Sequence, residues 1–198
     1  MTILYTVGDG LYVNLTNLCP CDCTFCIRQN GPGAYGSDPL WLEHEPTYEE
    51  VIAAFDAFDL SAFKELVFCG YGEPMERPDL LLRVCSFVRG TSNIPIRINT
   101  NGLSDLINGH STAPMLDGLV DTVSISLNAP TAEEYLEVTR PCFGAPAFDA
   151  RLKFATECKR YVPEVLFTVV DVLDPPDIDP AQRLADSLGI ALRVRHKI

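Results

Sequence analysis

Apolar residues run through the chain in short stretches separated by turn signals, and the stretches alternate between a period of two and one near 3.6. Residues 3–6 and 11–15 flank Gly8-Asp9-Gly10 and predict a hairpin. Thr47-Tyr48-Glu49-Glu50 has the form of a capping box, and Val51, Ile52, Phe55 and Phe58 follow at helical spacing. Residues 66–69 predict a strand, stopped by Gly70-Tyr71-Gly72-Glu73-Pro74. Pro78 opens a helix that buries Leu81, Val84, Cys85 and Val88. Residues 94–99 and 120–127 predict two more strands, and Thr131 with Glu134 three positions on caps the next helix. The remainder predicts a helix over 148–161, a strand over 165–172, a helix from Asp179-Pro180 to near Gly189, and a last strand over 190–196.

Strand, loop and helix in repeated order argue for a parallel α/β sheet or barrel. Six such strands are too few for the eight of a closed barrel. The pattern therefore predicts a partial (β/α)6 barrel, TIM-like and open on one side, with a short N-terminal β-hairpin. A flat doubly wound sheet is the alternative. Strand faces favour the barrel. Val123, Ile125 and Leu127 alternate with Ser124, Ser126 and Asn128; Ile94, Ile96 and Ile98 with Arg97 and Asn99; Ile190, Leu192 and Val194 with Arg193 and Arg195. Strands between two helix layers are apolar on both faces. One polar face implies a polar cavity, with ligands at the carboxyl ends of the strands.

Composition narrows the picture. The 198 residues, 47% hydrophobic and 21% charged, fit one globular domain over 1–198. No apolar run approaches the ~18 residues of a membrane span, and the N-terminus has no export signal, so a cytoplasmic protein is expected. The charge of −12 (15 basic minus 27 acidic residues) counts against a nucleic-acid partner. Eight cysteines are too sparse for a disulfide scaffold and read as thiols or metal ligands.

Four of those cysteines crowd into Cys19-Pro20-Cys21-Asp22-Cys23-Thr24-Phe25-Cys26. Cys19, Cys23 and Cys26 give a C-x3-C-x2-C spacing, in which three thiolates converge on one point from a single loop. A cubane cluster normally takes four cysteines, one per iron, so three leave one iron open for chemistry. A structural zinc site would draw on a second knuckle, and none is present. Cys23-Thr24-Phe25-Cys26 also has the form of a redox C-x-x-C, which leaves Cys19 unexplained.

Asn17-Leu18-Cys19, Cys23-Thr24-Phe25-Cys26 and the downstream Gly70-Tyr71-Gly72-Glu73-Pro74 together resemble the radical S-adenosylmethionine (SAM) superfamily. Asn14-Leu15-Thr16-Asn17 and the Cys-x-Phe-Cys-x-Arg ending at Arg28 look most like its small TatD-linked proteins. The resemblance implies that Cys19, Cys23 and Cys26 hold a [4Fe–4S] cluster, with Cys21 a spare thiol. It places Phe25 against adenine, Gly70, Tyr71, Gly72, Glu73 and Pro74 at the methionyl amino group, and Ser124, Ser126 and Asn128 at ribose and carboxylate. Asn101 would line the cavity, and Arg140 and Arg195 are candidates for the SAM carboxylate. Reductive cleavage of SAM would give a 5′-deoxyadenosyl radical that abstracts hydrogen from a substrate. An external electron donor of flavodoxin or ferredoxin type is implied, and a TatD-type hydrolase or a protein substrate is a candidate partner. No auxiliary-cluster or C-terminal substrate domain is expected. The rival functions are an activating enzyme for a glycyl-radical protein and a non-catalytic zinc or iron–sulfur module. Cys69 and Cys142 read as small core residues, Trp41 as the anchor of the Gly- and Pro-rich loop 28–46, and His44, His110 and His196 as surface residues.

Overall fold

The computed structural model describes residues 1–170 and 175–195. β1 (Leu4–Val7) and β2 (Gly10–Val13) form the predicted antiparallel hairpin, with Leu4 opposite Val13 and Val7 opposite Gly10. β3 (Glu65–Phe68), β4 (Ile96–Thr100), β5 (Thr122–Ser126), β6 (Glu164–Val170) and β7 (Ala191–Arg195) then add parallel to β2, each beside the last. Strand order equals chain order throughout. A doubly wound sheet reverses its order at a switch point; this one never does. Among the described residues β1 and β7 remain unpaired edges, so the sheet is an open partial barrel.

The helices lie outside. Thr47 caps α1 (Tyr48–Ala54) by accepting from the Glu50 amide, while the Glu50 carboxylate accepts from the Thr47 amide at 2.8 Å. Pro78 opens α2 (Pro78–Thr91) at a position where a missing N–H costs nothing. α3 (Ser104–Asn108), α4 (Ala132–Thr139), α5 (Pro146–Cys158) and α6 (Pro175–Ser187) follow. Phe68, Ile96, Ile98, Val123, Ile125 and Phe167 point outward into one core with Val51, Leu81, Val84, Cys85, Val88, Phe154 and Ala155. Each such side chain contributes about 1.5–3 kcal/mol by leaving water. The alternate residues Arg97, Asn99, Ser124 and Ser126 face inward, so the two-residue period of the strands sorts core from cavity.

Some predicted boundaries move. α1 ends at Ala54, and Phe55 is buried from a following 3₁₀ turn. α6 starts at Pro175, which places Pro180 inside the helix instead of at its start. The short α3 has too few apolar positions to show a helical period. On β7, Val194 is 40% exposed, because an edge strand has no neighbour to help cover its outer face. Residues 171–172 of the predicted sixth strand and His196 lie outside the described residues.

Candidate functional site

Beyond β2 the chain stays extended into the cysteine loop and is stapled on both sides. The Asn14 Nδ2 donates to the Leu40 carbonyl at 2.7 Å. Asn17 exchanges two bonds with Leu42, accepting from its amide at 3.0 Å and donating to its carbonyl at 2.8 Å. Loop 28–46 is thereby pinned to the barrel wall. The cysteine loop itself closes the carboxyl end of α4. Asp22 N–H donates to the Thr139 carbonyl and Thr24 N–H to the Val138 carbonyl, at 3.1 and 2.9 Å. These are orphan carbonyls of a helix end, satisfied here by the neighbouring loop.

Cys19, Cys21, Cys23 and Cys26 all border one cavity at the carboxyl ends of the strands. Cys21 lies between its neighbours and hydrogen-bonds both. Cys19 is pushed down to about 6 by the bond from Cys21, with Arg28 adding to the effect. Cys23 is lowered by its own bond from Cys21. Cys21 is pushed well up by its hydrogen bonds with Cys19 and Cys23 and by burial. Among the described residues no three His, Cys, Asp or Glu side chains make a set able to hold a single metal ion.

Opposite them, residues 70–74 carry the chain from β3 into a 3₁₀ turn. A Cβ on Gly72 would sit 2.6 Å from the Leu18 carbonyl and closer still to that of Thr16, and one on Gly70 2.6 Å from the Asn14 Cγ. These glycines admit the segment that follows β2, the backbone of Thr16 and Leu18 at Gly72 and the Asn14 side chain at Gly70. Tyr71 is buried, donates to the Gly31 carbonyl at 2.7 Å and meets Trp41 edge-on at 5.1 Å. The Arg28 guanidinium lies 5.6 Å from the Trp41 ring, which anchors the long loop. Glu73 is buried and takes bonds from Thr100 Oγ1 at 2.7 Å, Asn101 N–H at 2.7 Å and Met75 N–H at 3.1 Å. Burial pushes its carboxyl up to about 8 despite those donors.

Phe25, Asn101, Ser126 and Asn128 complete this end of the cavity, and Arg195 borders it from β7. Asn101 donates through Nδ2 to Cys21 Sγ at 3.9 Å. Asn128 adopts a φ of 58°, a conformation Asn tolerates better than most residues and one that recurs at ligand sites. Behind it stands a residue without any sequence signal. Arg151, on α5, is fully buried and stacks on Tyr135 at 3.9 Å and Phe148 at 4.5 Å. Its Nη2 donates to the Ala129 carbonyl at 3.0 Å and its Nη1 to that of Ser126 at 3.4 Å, so it grips both sides of the Asn128 turn.

Comparison with known proteins decides the family. The profile of the radical SAM superfamily matches residues 13–186. The chain belongs to the radical SAM superfamily. Superfamily members use a [4Fe–4S] cluster and S-adenosylmethionine and need an electron donor. A GTP 3′,8-cyclase of Rhodococcus opacus (strain B4) is 28% identical over 137 residues, covering 68% of this chain and 36% of that protein. Among solved structures, the [FeFe]-hydrogenase maturase HydG aligns with a TM-score of 0.65 at 14% identity, over 96% of this chain and 42% of that one. Streptococcus suis SuiB, solved with the precursor peptide SuiA, aligns at 0.63 and 15%, over 98% and 40%. A radical SAM methyltransferase from Sphaerobacter thermophilus aligns at 0.50 and 18%, over 98% and 68%. These likenesses carry the fold. The chain spans little more than a third of the cyclase it matches.

Three residues expected at a radical SAM ligand site stand elsewhere. Arg140 ends α4 in a left-handed turn, is exposed, and lies 4.0 Å from Asp22 outside the cavity. Ser124 and Pro74 are buried and do not border it. Cys142, read as a core residue, is exposed, whereas Cys69 faces the cavity. His44 pairs with Glu50 at 2.9 Å and His110 with the Asn108 carbonyl at 2.9 Å. Tyr5, Tyr35, Thr100 and Val170 join the lining from segments whose inward direction no local pattern reveals. Among the described residues no helix is long and apolar enough to cross a membrane.

Proposed function

We propose that the protein is a radical SAM enzyme in which Cys19, Cys23 and Cys26 hold a [4Fe–4S] cluster. The observation that carries this reading is a shared cavity, in which the three thiols face Glu73, Asn101, Ser126 and Asn128. The donor set fits the group. A cluster takes one thiolate per iron, so its ligands surround several metal atoms instead of meeting at one, and Cys19, Cys23 and Cys26 come from one loop and border one cavity. Without the cluster, Cys21 hydrogen-bonds both Cys19 and Cys23, and this reading leaves it outside the ligand set. The cofactors supply reductive cleavage of SAM and hydrogen abstraction from a substrate. The chain's residues supply orientation: Phe25 meets the adenine, the backbone of residues 70–72 with Glu73 takes the methionyl ammonium, and Ser126 and Asn128 bond the ribose.

The residues Asn14-Leu15-Thr16-Asn17 and Arg28 support membership of the TatD-linked group, and with it a TatD-type hydrolase as partner. Electrons would come from a flavodoxin or ferredoxin. Residues 1–198 act as one domain in the cytoplasm, and the two sheet edges left unpaired among the described residues leave room for a protein partner. Anaerobic reconstitution with iron and sulfide, followed by reduction with SAM, tests the central reading. The expected product is 5′-deoxyadenosine, slowly even without substrate. Stoichiometric zinc with no SAM cleavage would establish the non-catalytic module instead.

A further inference from the structure

The protein is strongly acidic, with 27 acidic against 15 basic residues. Its cavity is not. The lining contains two arginines, Arg28 and Arg195, and one carboxylate, Glu73, whose oxygens already accept three hydrogen bonds. Arg28 belongs to the cysteine end, where it bonds the Asn17 carbonyl at 3.3 Å and covers Trp41. Arg195 belongs to the other end. It terminates β7 opposite Val170 of β6, two strands away from the Ser126 and Asn128 side and at the unpaired edge of the sheet. Among the described residues it has no acidic partner within ion-pair distance, and its buried Nε has no hydrogen-bond acceptor.

A guanidinium with a buried, unmatched donor inside a barrel is costly unless something else supplies the acceptor. Arg151 also leaves its buried Nε unmatched, but two carbonyls and two aromatic rings hold its guanidinium, and the largely buried Arg97 of β4 shows how the chain satisfies a cavity-side arginine that needs no ligand. Arg97 forks onto both Glu65 oxygens, at 2.6 and 3.0 Å, and reaches Asn99 Oδ1 at 3.3 Å. Arg195 is close enough to act electrostatically on the Tyr35 phenol and the Cys69 thiol. Neither supplies a counter-charge at neutral pH. Two positions back on the same face of β7, Arg193 is exposed and also has no ion-pair partner among the described residues.

We propose that the substrate of this radical SAM site is a small anionic molecule, bearing a carboxylate or phosphate that Arg195 binds at the β6–β7 end of the cavity. Planar forks of N–H donors match both oxyanions, and a cationic rim on an acidic protein focuses anions at one opening. Arg195 is thereby assigned to substrate and not, as the sequence led one to expect, to the carboxylate of SAM.

The test rests on the radical SAM reading yet reads out separately from it. Isothermal titration of pyrophosphate and of citrate into the reconstituted, SAM-loaded protein distinguishes the phosphate arm from the carboxylate arm. Wild type is expected to bind one of the two. R195Q should weaken that binding by about tenfold or more, the weight of a charge-assisted bond, and R195K should recover part of it. SAM affinity should stay within about twofold in both variants, and thermal melts report that each is folded. Failure of wild type to bind either anion overturns the proposal, as does unchanged anion affinity in R195Q. Loss of SAM affinity in R195Q returns the residue to the SAM carboxylate and also overturns it. If wild type neither binds nor cleaves SAM, the radical SAM reading fails on its own readout.

Discussion

Arg151 is the residue at which packing and site geometry meet. It is buried without a carboxylate partner, and desolvation pulls it down to about 9. Two aromatic faces and two carbonyls hold it, an arrangement in which cation–π contact is worth about 2 kcal/mol or more when desolvated. Arg151→Ala should cost roughly 3–5 kcal/mol in urea denaturation, from the cavity and the two carbonyls left bare. It should also loosen the Asn128 turn, visible as faster amide exchange at Leu127–Ala129. The cysteines make a second prediction. Cys19→Ala, Cys23→Ala and Cys26→Ala should each abolish the visible absorption of the reconstituted cluster, and Cys21→Ala should largely keep it. Loss of the cluster in Cys21→Ala would show that the wrong triad has been chosen. Glu73 makes a third, in the metal-free protein. Its folded value, about 8, lies above the usual 4.5, so the folded state holds a proton the unfolded state releases. Its contribution is fully present below pH 4.5 and is lost as pH rises to about 8. Glu73→Gln should therefore be near neutral at pH 5 and gain relative stability at pH 8, measured by denaturation at both.

At the scale of elements, the hairpin and the loop after β3 act as one unit. The cysteine loop has its direction because residues 70 and 72 have no side chains to keep Asn14, Thr16 and Leu18 away. Gly72→Ala should destabilise the fold by more than about 2 kcal/mol, since backbone carbonyls cannot step aside cheaply, and should displace the thiols. Gly90, near the end of α2, would meet nothing within 4 Å. Gly90→Ala should raise stability by about 0.5–1 kcal/mol through helix propensity alone. Thermal melts of the pair separate glycine as a packing requirement from glycine as a weakness. The capping box of α1 and the Pro78 start of α2 were legible because caps act within a few residues. The start of α6 was not. Asp179-Pro180 has the form of a helix start, yet a proline in the first turns of a longer helix looks the same in sequence.

For the whole molecule, a charge of −12 is spread over a small body whose basic residues are partly committed to the cavity rim. Self-repulsion of this kind is screened within about 10 Å at 0.1 M salt. The melting temperature should therefore rise between 20 and 300 mM sodium chloride, and an unchanged value would mean that local pairs such as Arg97–Glu65 already balance the surface. The sequence by itself determined the alternation of strands and helices, the polar inward faces of β4 and β5, the cysteine loop and the Gly-Glu-Pro turn. Each of these is a local periodicity or a spacing within one segment. Tertiary structure alone decided which side chains share the cavity. It excluded Arg140, because a helix end turns it into solvent. It set Arg195 across from the cysteine loop, at an open edge. It brought Arg151 from the middle of α5 to the back of the Asn128 turn. Residue spacing along a chain sets the face on which a side chain starts; only the curl of the sheet sets what that face meets.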